Sequence, residues 1–169
     1  MLRDFADAAA PADDLVRVYY LELYGGKVTA ASKQYTGTRA IGYRLFDVVE
    51  LADYASMLRR LLSDIFAWHD AGGQPFLDET RLAAAAEQAG LELTPRLFTV
   101  DAADLPRDVA ATHELLADRL PVTRCGLDQS AGGHPEGIVL RTEDRSVIAK
   151  ARFEDYARTL RRRERATAR

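Results

Sequence analysis

Two hydrophobic patterns alternate along this chain, and together they predict an α+β fold. Runs rich in β-branched and aromatic residues are typical of strands, whereas apolar residues that recur about every 3.6 positions are typical of helices. The strand-type runs predict a mostly antiparallel sheet with strands at 15–24, 41–49, 94–100, 136–142 and 145–152. The helix-type segments lie at 53–71, 79–89 and 106–120, and we expect them to pack around that sheet.

The segment after residue 50 has the clearest helical periodicity. Its apolar positions share one side of a helix: Tyr54, Leu58, Leu61, Leu62, Ile65, Phe66 and Trp68. Further along, Pro95 interrupts a strand-type run, and this predicts an edge strand because proline cannot donate a ladder hydrogen bond. Residues 1–14 predict a short helix or lead-in, and the pattern turns helical again from Phe153.

The composition is that of a globular protein, with 47% hydrophobic and 29% charged residues among 169. A net charge of −3 argues against a protein that coats nucleic acid over its whole surface, but it is compatible with a local basic groove. The single cysteine, Cys125, excludes an intramolecular disulfide and a cysteine zinc cluster, and it suits a reducing, cytoplasmic location. No apolar run approaches the roughly 20 residues of a membrane-spanning helix, and the first residues lack the pattern of a secretory signal.

The charged residues of a predicted hairpin at 135–156 indicate an anion-binding face. Glu136 stands at the start of its first strand, and Lys150 and Arg152 close the second. Because Lys150 and Arg152 are two positions apart, their side chains point to the same face of a strand. A phosphate chain is a common partner for two such cations. The alternative is an ordinary strand end whose charges face water.

Four segments resemble, in the correct order, the motifs of the covalent nucleotidyltransferases, and specifically of the ATP-dependent RNA ligases. Residues 21–26 (LELYGG) resemble motif III, and residues 43–48 (YRLFDV) resemble motif IIIa. Residues 136–141 (EGIVLR) resemble motif IV, and residues 149–153 (AKARF) resemble motif V. Each segment alone is commonplace, but all four in order are fairly specific.

The resemblance implies a partial nucleotidyltransferase domain, related to ATP-grasp, over residues 1–156. Residues from about 50 to 135 would be a helical insertion in it, and residues 157–169 would form a basic C-terminal helix or tail. The implied activity is the ATP-dependent joining of 5′-phosphate and 3′-hydroxyl RNA ends, as in RNA repair. In this chemistry a lysine takes AMP from ATP, the AMP passes to the 5′-phosphate, and the 3′-hydroxyl then displaces it. A metal ion and cationic side chains would stabilise each charged transition state.

The resemblance also implies a role for each of five residues. Lys150 would contact the α-phosphate of ATP, with Arg152 as its helper. Glu136 would hold Mg²⁺ or Mn²⁺, or the hydration shell of the ion. Glu22 would contact the ribose or the metal. Phe46 would stack on adenine, a use to which a flat aromatic ring is suited.

Two features depart from the family's pattern. The family commonly has lysine at both motif V positions, and Arg152 keeps the charge but changes its geometry. The nucleophilic lysine belongs to motif I, which precedes motif III, yet none of the 21 residues before Glu22 is a lysine. Lys27 and Lys33 follow motif III and lack the expected neighbours. We therefore predict that this chain alone cannot form the lysyl–adenylate.

Three interpretations are open at this point. In the first, the chain is the C-terminal part of an RNA ligase. In the second, it is a short relative that binds nucleotide or RNA without adenylylation, or that works with a separate chain carrying motif I. In the third, the match is accidental and this is an α+β binding or scaffold protein. In the first two, Arg161, Arg162 and Arg163 of the basic terminal segment could contact phosphates of a nucleic acid. The alternative is a solvated basic tail.

Overall fold

A computed structural model describes residues 15–167, and its architecture is α+β, as the sequence predicts. The predicted helix or lead-in at 1–14 and the last part of the basic segment, residues 168–169, lie outside the described residues.

The strands form two separate two-stranded sheets. Strand β1 (Val16–Gly25) pairs with β2 (Ile41–Leu51), and β3 (Gly137–Arg141) pairs antiparallel with β4 (Ile148–Arg152). These four strands confirm four of the five predicted strands, although β4 begins three residues later than the predicted start at 145. The prediction of a single sheet that joins all the strands is wrong.

The predicted strand at 94–100 is also wrong. Residues 94–100 have no regular secondary structure, and only the neighbouring Leu93 forms an isolated parallel bridge, with Leu45 of β2. The backbone N–H groups of Leu45 and Thr94 both take part there, donating to Glu92 O and Leu45 O at 2.8 Å each. The next residue is Pro95, which has no N–H to donate, and the pairing does not continue beyond it.

Within residues 15–167, five α-helices accompany the strands. They are α1 (Tyr54–Met57), α2 (Leu62–Asp70), α3 (Glu79–Gln88), α4 (Val109–Arg119) and α5 (Phe153–Thr167). The predicted helices at 79–89 and 106–120 and the helical start at Phe153 are confirmed. Asp78 and Asp108 begin α3 and α4 by accepting hydrogen bonds from backbone N–H groups of the first turn.

The single long helix predicted at 53–71 is instead two short helices, α1 and α2. The chain becomes extended at Leu61, with φ −64° and ψ 146°, so the helical hydrogen bonds are interrupted there. The apolar stripe is not core either, since Leu58 and Leu61 are 74% and 71% exposed. Periodicity identified an amphipathic segment correctly, but it does not show what the apolar side packs against.

The described residues divide between two compact units, each with its own core. The first unit contains residues up to 22, 43–94 and 143–145. Its core joins β2 to the alanine-rich face of α3 and comprises Leu45, Val48, Leu77, Leu82, Ala85, Ala86, Ala89 and Leu91. Alanine side chains on α3 belong to this core, so the alanine-rich face of the helix is its buried face.

The second unit contains residues 23–42, 95–142 and those from 146 onward. Its core is smaller and comprises Leu116, Leu120, Ile138 and Ala151. These residues come from α4, β3 and β4, so the core lies beneath one face of the β3–β4 hairpin. The opposite face of this hairpin is therefore available for function.

Among residues 15–167 we find no helix with the length and apolar character needed to cross a membrane.

Candidate functional site

The outer face of the β3–β4 hairpin carries three cationic residues. Gly137 pairs with Arg152, Val139 with Lys150, and Arg141 with Ile148. Residues paired across two strands share a face, so Arg141, Lys150 and Arg152 lie together on the side opposite the buried Ile138 and Ala151. The structure thus places Lys150 and Arg152 on one face, as their spacing predicts. We call Arg141, Lys150 and Arg152 the cationic strand face.

Two of these cations are available to a ligand. The side chains of Lys150 and Arg152 are exposed, and neither has an ion pair or hydrogen bond with any residue in the described range. Val139, the cross-strand partner of Lys150, is 56% exposed and adds an apolar side chain to this face. Unpaired cations on a rigid strand are suited to binding an anion, because no existing ion pair has to be broken first.

Glu136 lies at the edge of the cationic strand face, immediately before β3. Its backbone oxygen accepts a 3.1 Å hydrogen bond from Phe153 N, which fixes the chain next to Arg152. Its carboxylate is exposed and accepts a 3.4 Å hydrogen bond from the Tyr35 hydroxyl. The backbone of Glu136 therefore adjoins the end of β4, while its carboxylate is held by Tyr35.

Steric contacts explain why the residue after Glu136 is a glycine. A Cβ atom at Gly137 would lie 2.1 Å from the backbone oxygen of Ala151 and 2.8 Å from the Cα atom of Arg152. Strand β3 can approach β4 at this point only without a side chain. Glycine at position 137 thus lets β3 begin directly against the end of β4.

Gly137→Ala is expected to destabilise the second unit by about 1–3 kcal/mol, because the new methyl group must displace the backbone of β4. Chemical denaturation followed by far-ultraviolet circular dichroism would measure the effect. Gly126→Ala is the matched control, since its Cβ would meet nothing nearer than 3.8 Å. Equal stability of the two variants would show that the hairpin can adapt to a side chain at this position.

Glu22 and Phe46, the other predicted site residues, lie in the first unit. Glu22 is exposed on β1, two positions after Tyr20, so the two side chains share a face of the strand. Phe46 of β2 is half-buried, and its ring centroid lies 6.1 Å from that of Tyr20. The structure therefore places Glu22 and Phe46 on one face of the β1–β2 sheet.

The predicted site residues thus form two groups, one in each unit. Glu136, Lys150 and Arg152 form the group in the second unit, and Glu22 with Phe46 forms the group in the first.

The basic terminal residues Arg161, Arg162 and Arg163 lie on α5, which continues to Thr167. All three side chains are exposed. Of the two predicted forms of the basic terminal segment, helix or tail, the described residues up to 167 form a helix.

Sequence reasoning missed a buried ion pair in the first unit. Asp47, which is only 3% exposed, is bonded to the Arg145 guanidinium. The same guanidinium lies 3.5 Å from the centre of the Phe76 ring. The centroids of the Phe76 and Tyr20 rings are 5.6 Å apart. Asp47 belongs to the segment that resembles motif IIIa, but nothing in the sequence links it to a residue 98 positions later.

A cavity in the second unit was also missed. It measures about 450 Å³ and lies between the loop after β1 and the turn at 128–132, with Lys27, Lys33 and Arg39 in its wall. The sequence did contain a signal, because two of its three lysines lie in the polar, glycine-containing segment 25–39.

The side-chain donor groups determine whether a metal ion could bind here. Within residues 15–167 no cluster of three or more His, Cys, Asp or Glu side chains is arranged to hold a metal ion. Mg²⁺ in nucleotide enzymes commonly binds to one or two carboxylates together with substrate phosphates and water. The exposed carboxylate of Glu136 could supply one such ligand.

Two exposed cations on one strand face, within an α+β fold, are suited to a protein that binds phosphate groups. The chain matches the RNA ligase family over residues 4–153, and it therefore belongs to that family. No curated protein and no solved structure shows significant similarity to it. Membership of the family supports a ligase-like function in general terms, with nucleotide-dependent chemistry and a nucleic-acid substrate.

Proposed function

We propose that this protein takes part in the ATP-dependent joining of RNA 5′-phosphate and 3′-hydroxyl ends. The observation that supports this most is the cationic strand face, where Lys150 and Arg152 are exposed and have no side-chain partner within residues 15–167. A polyphosphate is the ligand class that such a surface binds best, because each phosphate oxygen can accept a charge-assisted hydrogen bond.

In this proposal Lys150 binds the α-phosphate of ATP, and Arg152 holds an adjacent oxygen. Phosphoryl transfer depends mainly on positioning and on stabilisation of the charge that spreads over the phosphate oxygens. Lys150 and Arg152 supply that positive charge from one strand, so its positions are fixed by the β3–β4 pairing.

Glu136 would hold Mg²⁺ through its carboxylate or through a water of the ion. When bound, Mg²⁺ neutralises phosphate charge and orients the reacting groups. The hydrogen bond from the Tyr35 hydroxyl fixes the orientation of the carboxylate without removing its charge.

Glu22 and Phe46 would recognise the nucleoside part of ATP. Glu22 is exposed and can accept hydrogen bonds from ribose hydroxyls, and the half-buried Phe46 ring can stack on adenine. Their shared face on the β1–β2 sheet supports this assignment.

We further propose that this chain alone does not bind AMP covalently. No lysine precedes Glu22 in the sequence, whereas the nucleophile of related ligases comes before motif III. The lysine would then be supplied by residues beyond this sequence or by a separate chain.

The first test is incubation of the purified chain with α-labelled ATP and Mg²⁺, followed by a denaturing gel and, in parallel, calorimetry. We expect no labelled protein band but measurable heat of ATP binding. A labelled band would overturn the proposal on the missing lysine, and single variants Lys27→Ala and Lys33→Ala would then identify the acceptor. The absence of both a band and binding heat would overturn the nucleotide-binding function itself.

A further inference from the structure

The cavity between the loop after β1 and the turn at 128–132 is a built feature of the second unit rather than a gap in an irregular surface. Its wall includes Lys27, Lys33, Thr38, Arg39, Ser130 and Gly132. We call this cavity the loop pocket.

Backbone hydrogen bonds join the two sides of the loop pocket. Gly132 N donates to Lys33 O at 2.8 Å, Gly133 N to Gln34 O at 3.1 Å, and Leu127 N to Tyr35 O at 2.7 Å. Three bonds over such a short stretch fix the two loops against each other. The position of the Lys33 backbone is therefore set by these contacts.

Asp128 completes this framework. Its carboxylate accepts hydrogen bonds from the hydroxyls of Thr36, Thr38 and Ser130 and from the backbone N–H groups of Gly37 and Ser130. The Ser130 hydroxyl, followed by the Thr36 hydroxyl, lowers the pKa of Asp128 well below its ordinary value. The carboxylate thus stays ionised and is committed to holding the loop, which leaves the basic side chains without a carboxylate partner.

The charge of the loop pocket is strongly positive. The side chains of Lys27, Lys33 and Arg39 are exposed, and none of these side chains has an ion pair or hydrogen bond in the described part of the chain. The whole sequence has a net charge of −3, so three unpaired cations around one cavity are a local departure from the overall balance. An anion with several charges is the ligand that such a surface attracts.

The lining also indicates which anion. Among the described residues that line the loop pocket, none is aromatic, so a nucleobase would find no ring on which to stack. Lysine, arginine and hydroxyl groups are instead the usual contacts to the phosphates of a nucleic-acid backbone. The same loop reaches the candidate site, because Tyr35 donates its hydroxyl to Glu136.

We propose that the loop pocket binds backbone phosphates of the RNA strand whose end is processed at the cationic strand face. This inference rests on the proposed function, and it adds a separate binding site for the polynucleotide. Lys27, Lys33 and Arg39 would contact about three phosphates, independently of base sequence.

The test uses a 5′-phosphorylated, single-stranded RNA oligonucleotide of mixed sequence, whose binding is followed by fluorescence anisotropy over a range of salt concentrations. The triple variant Lys27→Gln, Lys33→Gln, Arg39→Gln is expected to bind this RNA at least about tenfold more weakly. The slope of log K against log salt should also fall by roughly 2, since each single-strand phosphate contact contributes about 0.7. ATP binding, measured by calorimetry, should be unchanged.

The matched control is Arg59→Gln, Arg60→Gln, Arg107→Gln, which removes the same charge from exposed positions outside the loop pocket. It should keep nearly wild-type RNA binding. The variant Lys27→Arg, Lys33→Arg keeps the charge and should also bind RNA normally, which separates loss of phosphate contacts from a disturbed loop.

Several outcomes would overturn the inference. Equal loss of RNA binding in the pocket variant and the charge control would show a general effect of net charge. Loss of ATP binding with RNA binding retained would show that the loop pocket takes a nucleotide polyphosphate. If the unaltered protein binds ATP but no RNA, only the proposal for the loop pocket is overturned. If it binds neither ligand, the proposed function is overturned as well.

Discussion

Lys150→Ala is expected to weaken ATP binding by about 10- to 100-fold in calorimetric titrations with Mg²⁺. The variant removes a charge-assisted hydrogen bond to a phosphate, which is worth roughly 1.5–3 kcal/mol. The side chain is exposed and makes no hydrogen bond or ion pair within residues 15–167, so its removal should leave the fold unchanged. A loss of affinity would therefore report ligand contact and not unfolding.

Two variants make this measurement specific. Arg107→Ala removes an exposed cation of the same unit that lies outside the cationic strand face, and it should bind ATP as the unaltered protein does. Lys150→Arg keeps the charge on the strand and should retain part of the affinity. Wild-type affinity in Lys150→Ala would show that the nucleotide does not use the cationic strand face.

Arg145→Ala is expected to lower the stability of the first unit by about 3–5 kcal/mol, the usual cost of removing one partner of a buried ion pair. Asp47 would lose its guanidinium partner while remaining buried, and Phe76 would lose the cation above its ring. Chemical denaturation followed by Trp68 fluorescence is the suitable measurement. Trp68 is the single tryptophan of the chain, and it lies in the same unit.

A double-mutant cycle would isolate the ion pair from the rest of this effect. If Asp47 and Arg145 act on each other, the variant with both residues changed to alanine should be much less destabilised than the sum of the single variants. Arg59→Ala, an exposed arginine of the same unit, is expected to stay within about 0.5 kcal/mol of the unaltered protein. Additive effects of Asp47→Ala and Arg145→Ala would show that the pair carries no net interaction energy.

The candidate site combines local features of the sequence with features that depend on a ligand. The Glu-Gly pair and the two-residue spacing of Lys150 and Arg152 are local, so the sequence could predict their place in one hairpin. The metal-binding role of Glu136 and the nucleotide contacts of Glu22 and Phe46 stay predictions, because they concern a bound ligand rather than the chain itself.

The sequence by itself determined the local elements of this protein. β-Branched runs specified β1 to β4, and side-chain alternation specified which residues of β3 and β4 face outward. Aspartate caps and apolar periodicity specified α3 and α4 within a few residues. Each of these features depends on neighbours in the chain, and a residue pattern records them directly.

Only the tertiary structure decided the features that depend on distant residues. It separated the strands into two sheets, left the apolar side of α1 and α2 exposed, and replaced the strand predicted at 94–100 with a single bridge. It also paired Asp47 with Arg145 and joined Thr36 to Asp128, which lie 98 and 92 positions apart. Such contacts depend on how whole elements pack, and the periodicity of a segment carries no information about its partner.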